Sequence, residues 1–226
     1  MESATRRASS SVEDYAKAIY SLEEPAGAPV TTTAIAQRVC VTPGSASAMV
    51  KKLADLGLAT HIPYRGVRLT DEGRRVALEV IRHHRLIELF LADVLGMPWD
   101  RVHAEAEVLE HVISEELEAL IAAKLGDPAL DPHGSPIPTE DFAIAAQATR
   151  ALEDLEPGDA GRLVRVSDAD PAMLRYLAEL GIAPGDELDV VAREPFGGPL
   201  TVRFGDRTEA IGGELARAMH VSVAAA

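Results

Sequence analysis

The sequence has little sulfur and few aromatic side chains: one of its 226 residues is cysteine, Cys40, and nine are Phe, Trp or Tyr. A single cysteine excludes an internal disulfide and a cysteine-rich zinc motif, and we expect Cys40 to be a small buried apolar residue in a reducing compartment. No apolar run is long enough to cross a membrane, and the first ten residues, MESATRRASS, lack the apolar core of a signal peptide. A P-loop, a dinucleotide-binding glycine pattern and a nucleophile elbow are also missing. These absences predict a cytoplasmic protein that neither enters a membrane nor acts on an organic small-molecule substrate.

Basic residues are scarce, and the formal net charge is −14. Residues 1–75 contain ten Lys or Arg and eight Asp or Glu, a net charge of +2, whereas the rest of the chain contains twelve and twenty-eight, a net charge of −16. A local basic patch can bind phosphates even when the remaining chain is acidic. We therefore expect the N-terminal third to have a function of its own.

That N-terminal third has the pattern of a helix-turn-helix. Helices are predicted over residues 31–39 and 43–56, with Thr42 as the N-cap of the second helix and Pro43 at its first position. Small and polar residues at the start of this second helix permit close approach to bases and phosphates. A helical hairpin used only for packing would show the same apolar pattern.

A predicted hairpin follows the two helices and favours DNA binding over simple packing. Its strands cover residues 58–62 and 67–69, and its tip presents an aromatic side chain and a cation. A helix-turn-helix followed by such a wing is a specific combination. The predicted DNA-contacting residues are Thr42, Pro43, Ser45, Ala46, Ser47, Lys51, Tyr64 and Arg65.

Two long helices in the middle of the chain carry histidines and carboxylates. The first is predicted over residues 72–94, capped by Asp71, with His84 and Glu88 one helical turn apart. The second, over residues 99–120, combines an apolar stripe with a polar one. The apolar stripe consists of Val102, Ala106, Leu109, Ile113, Leu117 and Leu120, and the polar stripe of His103, Glu107, Glu110 and His111.

The polar stripe suits a divalent cation. Imidazole nitrogen and carboxylate oxygen are borderline-to-hard donors, and burying carboxylates without a cation is costly. A solvated acidic helix face would give the same pattern. Asp14, in the first turn of a helix predicted over residues 12–23, has the simpler interpretation of a partner for the helix dipole. A Pro- and Gly-rich loop over residues 126–139 adds Asp131 and His133 as potential ligands.

The C-terminal third changes to short β-like runs separated by glycine-containing turns. Strands are predicted over residues 162–166, 187–192, 200–204 and 221–223, with one helix over residues 171–180. The predicted fold is therefore mainly α with a small β domain. It consists of a winged helix-turn-helix domain (1–75), a helical dimerisation and metal-binding domain (76–150) and an SH3-like barrel (151–226).

With these motifs assembled, the chain resembles the diphtheria toxin repressor family, and within it the manganese-responsive transport regulators. The resemblance covers nearly the whole chain and implies a C-terminal barrel of the FeoA type. The motifs that carry it are VEDYAKAIY, VTPGSASAMVKKLADLGL, RHHRLIELFL, EAEVLEHVISEEL, DPHGSPIP and VSDADPAMLRYLAELGI.

The resemblance implies two metal sites. The primary site corresponds to Asp14, His84, Glu107, Glu110 and His111. The second site corresponds to Glu88, Asp131, His133 and Asp168, and His103 matches an ancillary ligand of the iron-responsive branch. Lys17 stands where regulators that bind a close pair of manganese ions have a glutamate, which argues against such a pair here.

The resemblance also implies a function, namely a homodimeric repressor of metal homeostasis genes that binds double-stranded operator DNA with Mn(II) as corepressor. Fe(II), Co(II) and Zn(II) are the other candidate metals. Iron-responsive relatives have methionine at the position of Asp14 and cysteine at that of Glu107, so the carboxylates here favour manganese. An iron-responsive regulator is the main alternative. A carboxylate-bridged metal enzyme is a weaker alternative, because the paired Glu-x-x-His motifs of such enzymes are missing. A regulator that senses an organic ligand is another weaker alternative.

Overall fold

A computed structural model of the chain describes residues 9–23, 28–62 and 64–223. The chain folds into two compact units, which are described separately. Of the described residues, those up to residue 83 together with 110–113 and 138–143 form the first unit, and residues 84–109, 114–137 and 144–223 form the second. Among the described residues, no helix combines the length and the apolar character needed to cross a membrane.

The first unit contains the predicted helix-turn-helix and wing. In order, its elements are α1 (Ser10–Glu23), α2 (Thr32–Arg38), α3 (Pro43–Asp55), β1 (Ala59–Ile62), β2 (Gly66–Leu69) and the first half of α4 (Asp71–Asp93). Thr42 caps α3 as predicted, because its side chain accepts the N–H of Ser45 and Pro43 occupies the first turn. The strands β1 and β2 pair antiparallel, and the core includes the fully buried Ile19, Ile35 and Leu53.

Two local predictions in this unit are wrong. Cys40 is exposed rather than buried, because it follows α2 in a left-handed conformation (φ 54°) that turns the chain towards α3. Asp71 is the first residue of α4 rather than its cap. The cap is Thr70, whose hydroxyl accepts the N–H of Gly73.

The helix predicted over residues 99–120 is two helices, α5 (Val102–Leu109) and α6 (Glu115–Leu125). Ser114 interrupts it by acting as the N-cap of α6, since its side chain accepts the N–H of Leu117. The predicted apolar stripe is not uniformly buried either. Val102, Ala106 and Ile113 are buried, but Leu109, Leu117 and Leu120 are exposed.

The second unit ends in an antiparallel sheet. Its elements are β3 (Arg150–Ala151), a 3-10 turn (Leu152–Asp154), β4 (Ala160–Val166), α7 (Pro171–Leu180), β5 (Glu187–Arg193), β6 (Leu200–Phe204), β7 (Arg207–Ile211), α8 (Gly213–Ala218) and β8 (Met219–Val223). The strand order is β3-β8-β4-β5-β6-β7. The four predicted strands and α7 are confirmed, whereas β3, β7 and α8 were not predicted. The mainly α chain with a small C-terminal β domain is confirmed.

Within the second unit, the part of the predicted loop around His133 lies against this sheet. The carbonyl of His133 accepts the N–H of Val166 in β4 at 2.9 Å. Gly134 has φ 86°, and a Cβ placed there would lie 1.9 Å from the carbonyl oxygen of Val164. Only glycine permits this approach, which holds His133 beside the sheet.

Candidate metal centres and DNA-binding surface

Asp14, Glu110 and His111 form the first cluster of potential ligands, which we call the α1 cluster. Asp14 lies on α1, and the other two lie in the turn between α5 and α6, inside the first compact unit. His111 Nε2 is 2.9 Å from Asp14 Oδ1 and 3.4 Å from Glu110 Oε1. The Asp14 side chain is 45% exposed, whereas that of Glu110 is fully buried. Three ligand atoms thus converge at a site with one open side.

Two further residues of α1 contact this cluster. Glu13 Oε2 lies 2.6 Å from His111 Nδ1, and the ammonium of Lys17 donates to both oxygens of Glu110, at 2.9 and 2.8 Å. Glu13 could not be predicted from the sequence, because an acidic residue in a first helical turn is indistinguishable from a partner of the helix dipole. Its partner is 98 residues away.

Glu88 is at the centre of a second group, the Glu88 cluster, which lies within the second unit. Its members are His84, Glu88, His103, Asp131, His133 and Asp168. Glu88 is fully buried, and its Oε1 is 3.0 Å from His84 Nε2 and 3.2 Å from His103 Nδ1. Asp168 Oδ2 is also 3.2 Å from His103 Nδ1. The structure therefore places His103 with Glu88 and Asp168.

The other oxygen of Glu88 faces the loop ligands. Glu88 Oε2 is 3.7 Å from His133 Nδ1, and both atoms are buried without a hydrogen-bond partner among the described residues. Asp131 completes this side of the cluster. Trp99 stacks on the ring of His133, with 5.7 Å between centroids. Buried polar atoms without partners are costly, and a cation would satisfy both of them.

In the Glu88 cluster, the imidazoles and carboxylates stabilise each other's charged forms, whereas the carboxylates of Glu88 and Asp131 oppose each other. The pKa of His103 rises to about 10 because of Asp168 first and Glu88 second. Burial alone would lower the pKa of His133, but Glu88 outweighs it and raises that pKa to about 9. Burial would raise the pKa of Glu88, yet His103, His133 and His84 together hold it far below its usual range. Burial and the charge of Glu88 raise the pKa of Asp131 to about 6.

The set predicted for the primary site is divided between the two units. Asp14, Glu110 and His111 come together in the first, whereas His84 and Glu107 belong to the second, with 3.7 Å between His84 Nδ1 and Glu107 Oε1. His84 is also a member of the Glu88 cluster. The five-residue set stays a prediction, whereas the donors within each cluster suit a divalent cation.

The predicted DNA-contacting residues, with one exception, are on the surface of the first unit. Ala46 is fully buried in the core below α3, so its inclusion was wrong. Tyr64 is fully exposed at the tip of the wing and adopts a left-handed φ of 61°. The remaining exposed residues are Thr42, Pro43, Ser45, Ser47, Lys51 and Arg65.

Three family models match consecutive parts of the chain. Residues 8–67 match the N-terminal DNA binding domain of iron dependent repressors, residues 70–139 their metal binding and dimerisation domain, and residues 150–223 the FeoA domain. The iron-dependent repressor IdeR of Mycobacterium tuberculosis is 33% identical over 222 residues, which cover 92% of this chain and 95% of the relative. The diphtheria toxin repressor of Corynebacterium jeikeium is 31% identical over 80% of this chain and 85% of its own length. The chain belongs to the diphtheria toxin repressor family.

Solved structures of family members agree with this assignment. A manganese-dependent transcriptional repressor in complex with manganese is 44% identical, covers 94% of this chain and 100% of its own and superposes with a TM-score of 0.88. The manganese regulator SloR is 30% identical, with a TM-score of 0.76 and coverage of 94% and 98%. The diphtheria toxin repressor family consists of metal-dependent DNA-binding transcriptional repressors rather than enzymes. The predicted repressor function and FeoA-type C-terminal domain are thereby confirmed.

Proposed function

We propose that this chain is a cytoplasmic, homodimeric repressor that binds operator DNA with Mn(II) as corepressor and controls metal homeostasis genes. One observation carries the choice of metal: every donor in the α1 and Glu88 clusters is a carboxylate oxygen or an imidazole nitrogen. Mn(II) holds a weak place in the general affinity order and prefers hard donors, so such sites suit it better than sulfur-containing ones. Relatives named as manganese-dependent repressors or regulators support this choice. The division at residues 75 and 150 into three domains is part of the same proposal.

The α1 cluster is proposed to supply the regulatory site. Asp14, Glu110 and His111 would hold a cation there, and the family resemblance adds His84 and Glu107 to that set. A bound cation supplies the positive charge that offsets these carboxylates. Because α1 packs against α2 and α3 in the same unit, fixing Asp14 to the Glu110–Ile113 turn also supports α3, the proposed recognition helix. The Glu88 cluster is proposed as the second site.

The exposed start of α3 and the tip of the wing are proposed to contact DNA. The polar side chains of Ser45 and Ser47 would approach base edges, and Lys51, Tyr64 and Arg65 would contact the phosphate backbone. Two copies of the chain would place two recognition helices on the half-sites of one operator. The match to a dimerisation domain over residues 70–139 supports this arrangement.

Binding of the full-length protein to the DNA upstream of its own gene tests this function. The assay is run anaerobically at one salt concentration, first with chelator and then with Mn(II), Fe(II), Co(II) or Zn(II), because phosphate contacts make affinity salt-dependent. We expect Mn(II) to tighten binding at least tenfold. We expect Lys51→Ala to weaken binding with every metal, whereas Asp14→Ala should abolish only the response to metal. Tight binding in chelator that no metal changes would contradict the proposal.

An iron-responsive repressor is the second candidate, because the IdeR relatives are iron-dependent repressors at 33% identity. The same assay separates the two candidates. If the carboxylates select Mn(II), Asp14→Met and Glu107→Cys should shift the response towards Fe(II). A wild-type response to Fe(II) at lower concentrations than Mn(II) would favour the iron alternative.

A further inference from the structure

Two consecutive residues of α1 contact the two ring nitrogens of one histidine. Glu13 Oε2 lies 2.6 Å from His111 Nδ1, and Asp14 Oδ1 lies 2.9 Å from His111 Nε2. Neighbouring residues of a helix point about 100° apart, so α1 directs Glu13 towards the interior and Asp14 towards the surface. The Glu13 side chain is only 9% exposed. Two carboxylates therefore hold the imidazole ring of His111, one at each ring nitrogen.

The contact with Glu13 determines which nitrogen of His111 is available. An ionised carboxylate can only accept hydrogen bonds, so a ring nitrogen that faces one carries a hydrogen unless a cation takes its place. A cation bound beside Asp14 and Glu110 would replace the hydrogen on Nε2, and the contact with the buried Glu13 would keep the remaining hydrogen on Nδ1. Nε2 faces Asp14 and Glu110, the two carboxylates of the α1 cluster. The contacts on both ring nitrogens thereby orient Nε2 towards the α1 cluster.

We propose that Glu13 is the positioning residue of the α1 cluster and that its carboxylate fixes the orientation and tautomer of His111. This inference rests on the proposed metal binding by that cluster. Histidines that ligate metals commonly donate their other N–H to a carboxylate, which raises the basicity of the ligand and keeps its ring in place. Glu13 contacts Nδ1, whereas Asp14 and Glu110 face Nε2. It acts through His111.

Lys17 holds the second residue of the same turn. It is one helical turn after Glu13, and its ammonium donates to both oxygens of Glu110. Glu13 thus holds His111, and Lys17 holds the adjacent Glu110. Asp14, which follows Glu13 on α1, faces the open side of the site. This arrangement explains how a short turn outside any helix keeps two ligands in place.

Equilibrium Mn(II) binding to the full-length protein tests the role of Glu13. The EPR signal of free Mn(II) gives the affinity, and the relevant phase of the titration is the one that Asp14→Ala removes. We expect Glu13→Gln and Glu13→Ala to weaken that phase about 10- to 100-fold. Glu23→Gln is the matched control, because Glu23 is also a buried glutamate of α1 but contacts Leu69 and Arg74 instead. It should lower the melting temperature and leave Mn(II) affinity unchanged.

A second measurement separates positioning from general loss of stability. In the protein loaded with diamagnetic Zn(II), the Nδ1–H of His111 should give an NMR resonance protected from solvent exchange, and Glu13→Ala should abolish this protection. Wild-type affinity and protection in a folded Glu13 variant would overturn the positioning role alone, provided that Asp14→Ala still weakens binding. Wild-type Mn(II) binding in Asp14→Ala would overturn the proposed metal site together with this inference.

Discussion

At the scale of single residues, the side chain of Lys17 forms an ion pair with a buried carboxylate. Its side chain is 17% exposed and that of Glu110 fully buried. Breaking such a pair costs about 3 kcal/mol, because a buried charge loses its partner. We expect Lys17→Met to lower the free energy of unfolding by about this amount in chelator. We also expect saturating Mn(II) to raise the free energy of unfolding more in the variant than in the wild type.

Urea unfolding with chelator and with saturating Mn(II) checks the role of Lys17. The control is Lys51→Met, which removes an exposed lysine of α3 and should change stability by less than about 0.5 kcal/mol. Equal losses in the two variants would show that the ammonium of Lys17 does not compensate Glu110.

The raised pKa values of His103 and His133, about 10 and about 9, predict a pH dependence for the second site. In the metal-free protein, the stability from these charged rings is fully present below a pH of about 6.5 and is lost as the pH rises through 9 to 10. Metal binding has the opposite dependence, because the rings must lose their protons to become ligands. We expect Mn(II) affinity at the Glu88 cluster to rise steadily from pH 6.5 to 9.

Fluorescence of Trp99 can follow this titration, because its indole stacks on His133 and is the only tryptophan in the chain. Asp168→Asn is the informative variant, since it removes the main cause of the raised pKa of His103. The pH dependence should become shallower in this variant. An affinity independent of pH in the wild type would show that the histidines are already neutral.

At the scale of secondary-structure elements, the loop that carries Asp131 and His133 depends on its close approach to β4. In Gly134→Ala, the added Cβ would lie 1.9 Å from the carbonyl of Val164, so the loop must move and the hydrogen bond between His133 and Val166 should be lost. We expect a loss of about 3 kcal/mol in stability, together with weaker Mn(II) binding at the Glu88 cluster.

Gly126→Ala is the matched control for Gly134→Ala. Gly126 also has a positive φ, 78°, but a Cβ there would meet no atom within 4 Å. It should cost only the backbone strain of about 1 to 2 kcal/mol and leave metal binding unchanged. Urea unfolding and the Trp99 titration measure both quantities, and similar metal affinities in the two variants would contradict the role of the close approach.

The sequence predicts elements well where the signals are local. The bounds of α7 and the cap of α3 follow from Asp170, Thr42 and the prolines after them. The interruption between α5 and α6 was missed, because the apolar spacing continues through it and Ser114 resembles an ordinary helical residue until its hydrogen bond is seen. This break matters for the site. Adjacent residues on a helix diverge by about 100°, whereas Glu110 and His111 in a turn reach the same cluster.

The members of the two clusters were all named as candidate ligands from helical spacing and the family motifs, and most of them in the same two groups. His84 is the exception, since it was assigned to the primary site and lies in the Glu88 cluster. The positioning residue Glu13 could not be identified, because its contact with His111 depends on folding across 98 residues. The burial of Ala46 and the exposure of Cys40 likewise depend on how α2 and α3 pack.

At the scale of the whole molecule, the exposed leucines of α6 predict the dimer interface. Leu117 and Leu120 are 49% and 61% exposed and lie three residues apart on one face of α6. Exposing two neighbouring leucine side chains to water is unfavourable, and a second copy of the chain packed on this face would cover them. We expect Leu117→Asp combined with Leu120→Asp to convert the dimer to a monomer.

Size-exclusion chromatography with light scattering measures the mass of this double variant. Val191→Asp is the control, because Val191 is a similarly exposed apolar residue on β5 of the C-terminal sheet. It should leave the mass unchanged. A monomeric wild type, or a dimeric double variant, would place the interface elsewhere.

The first compact unit is discontinuous in sequence. Besides the residues up to 83, it contains two later segments, residues 110–113 and residues 138–143. Arg82 donates to the carbonyl of Pro138, and Arg75 stacks over the ring of Phe142, so the last segment is bonded to the unit by side chains. A fragment that ends at residue 75 would therefore lack part of its own fold. A transplant of this unit into another regulator would need both later segments, so the proposed DNA-binding surface and the α1 cluster would be transferred together.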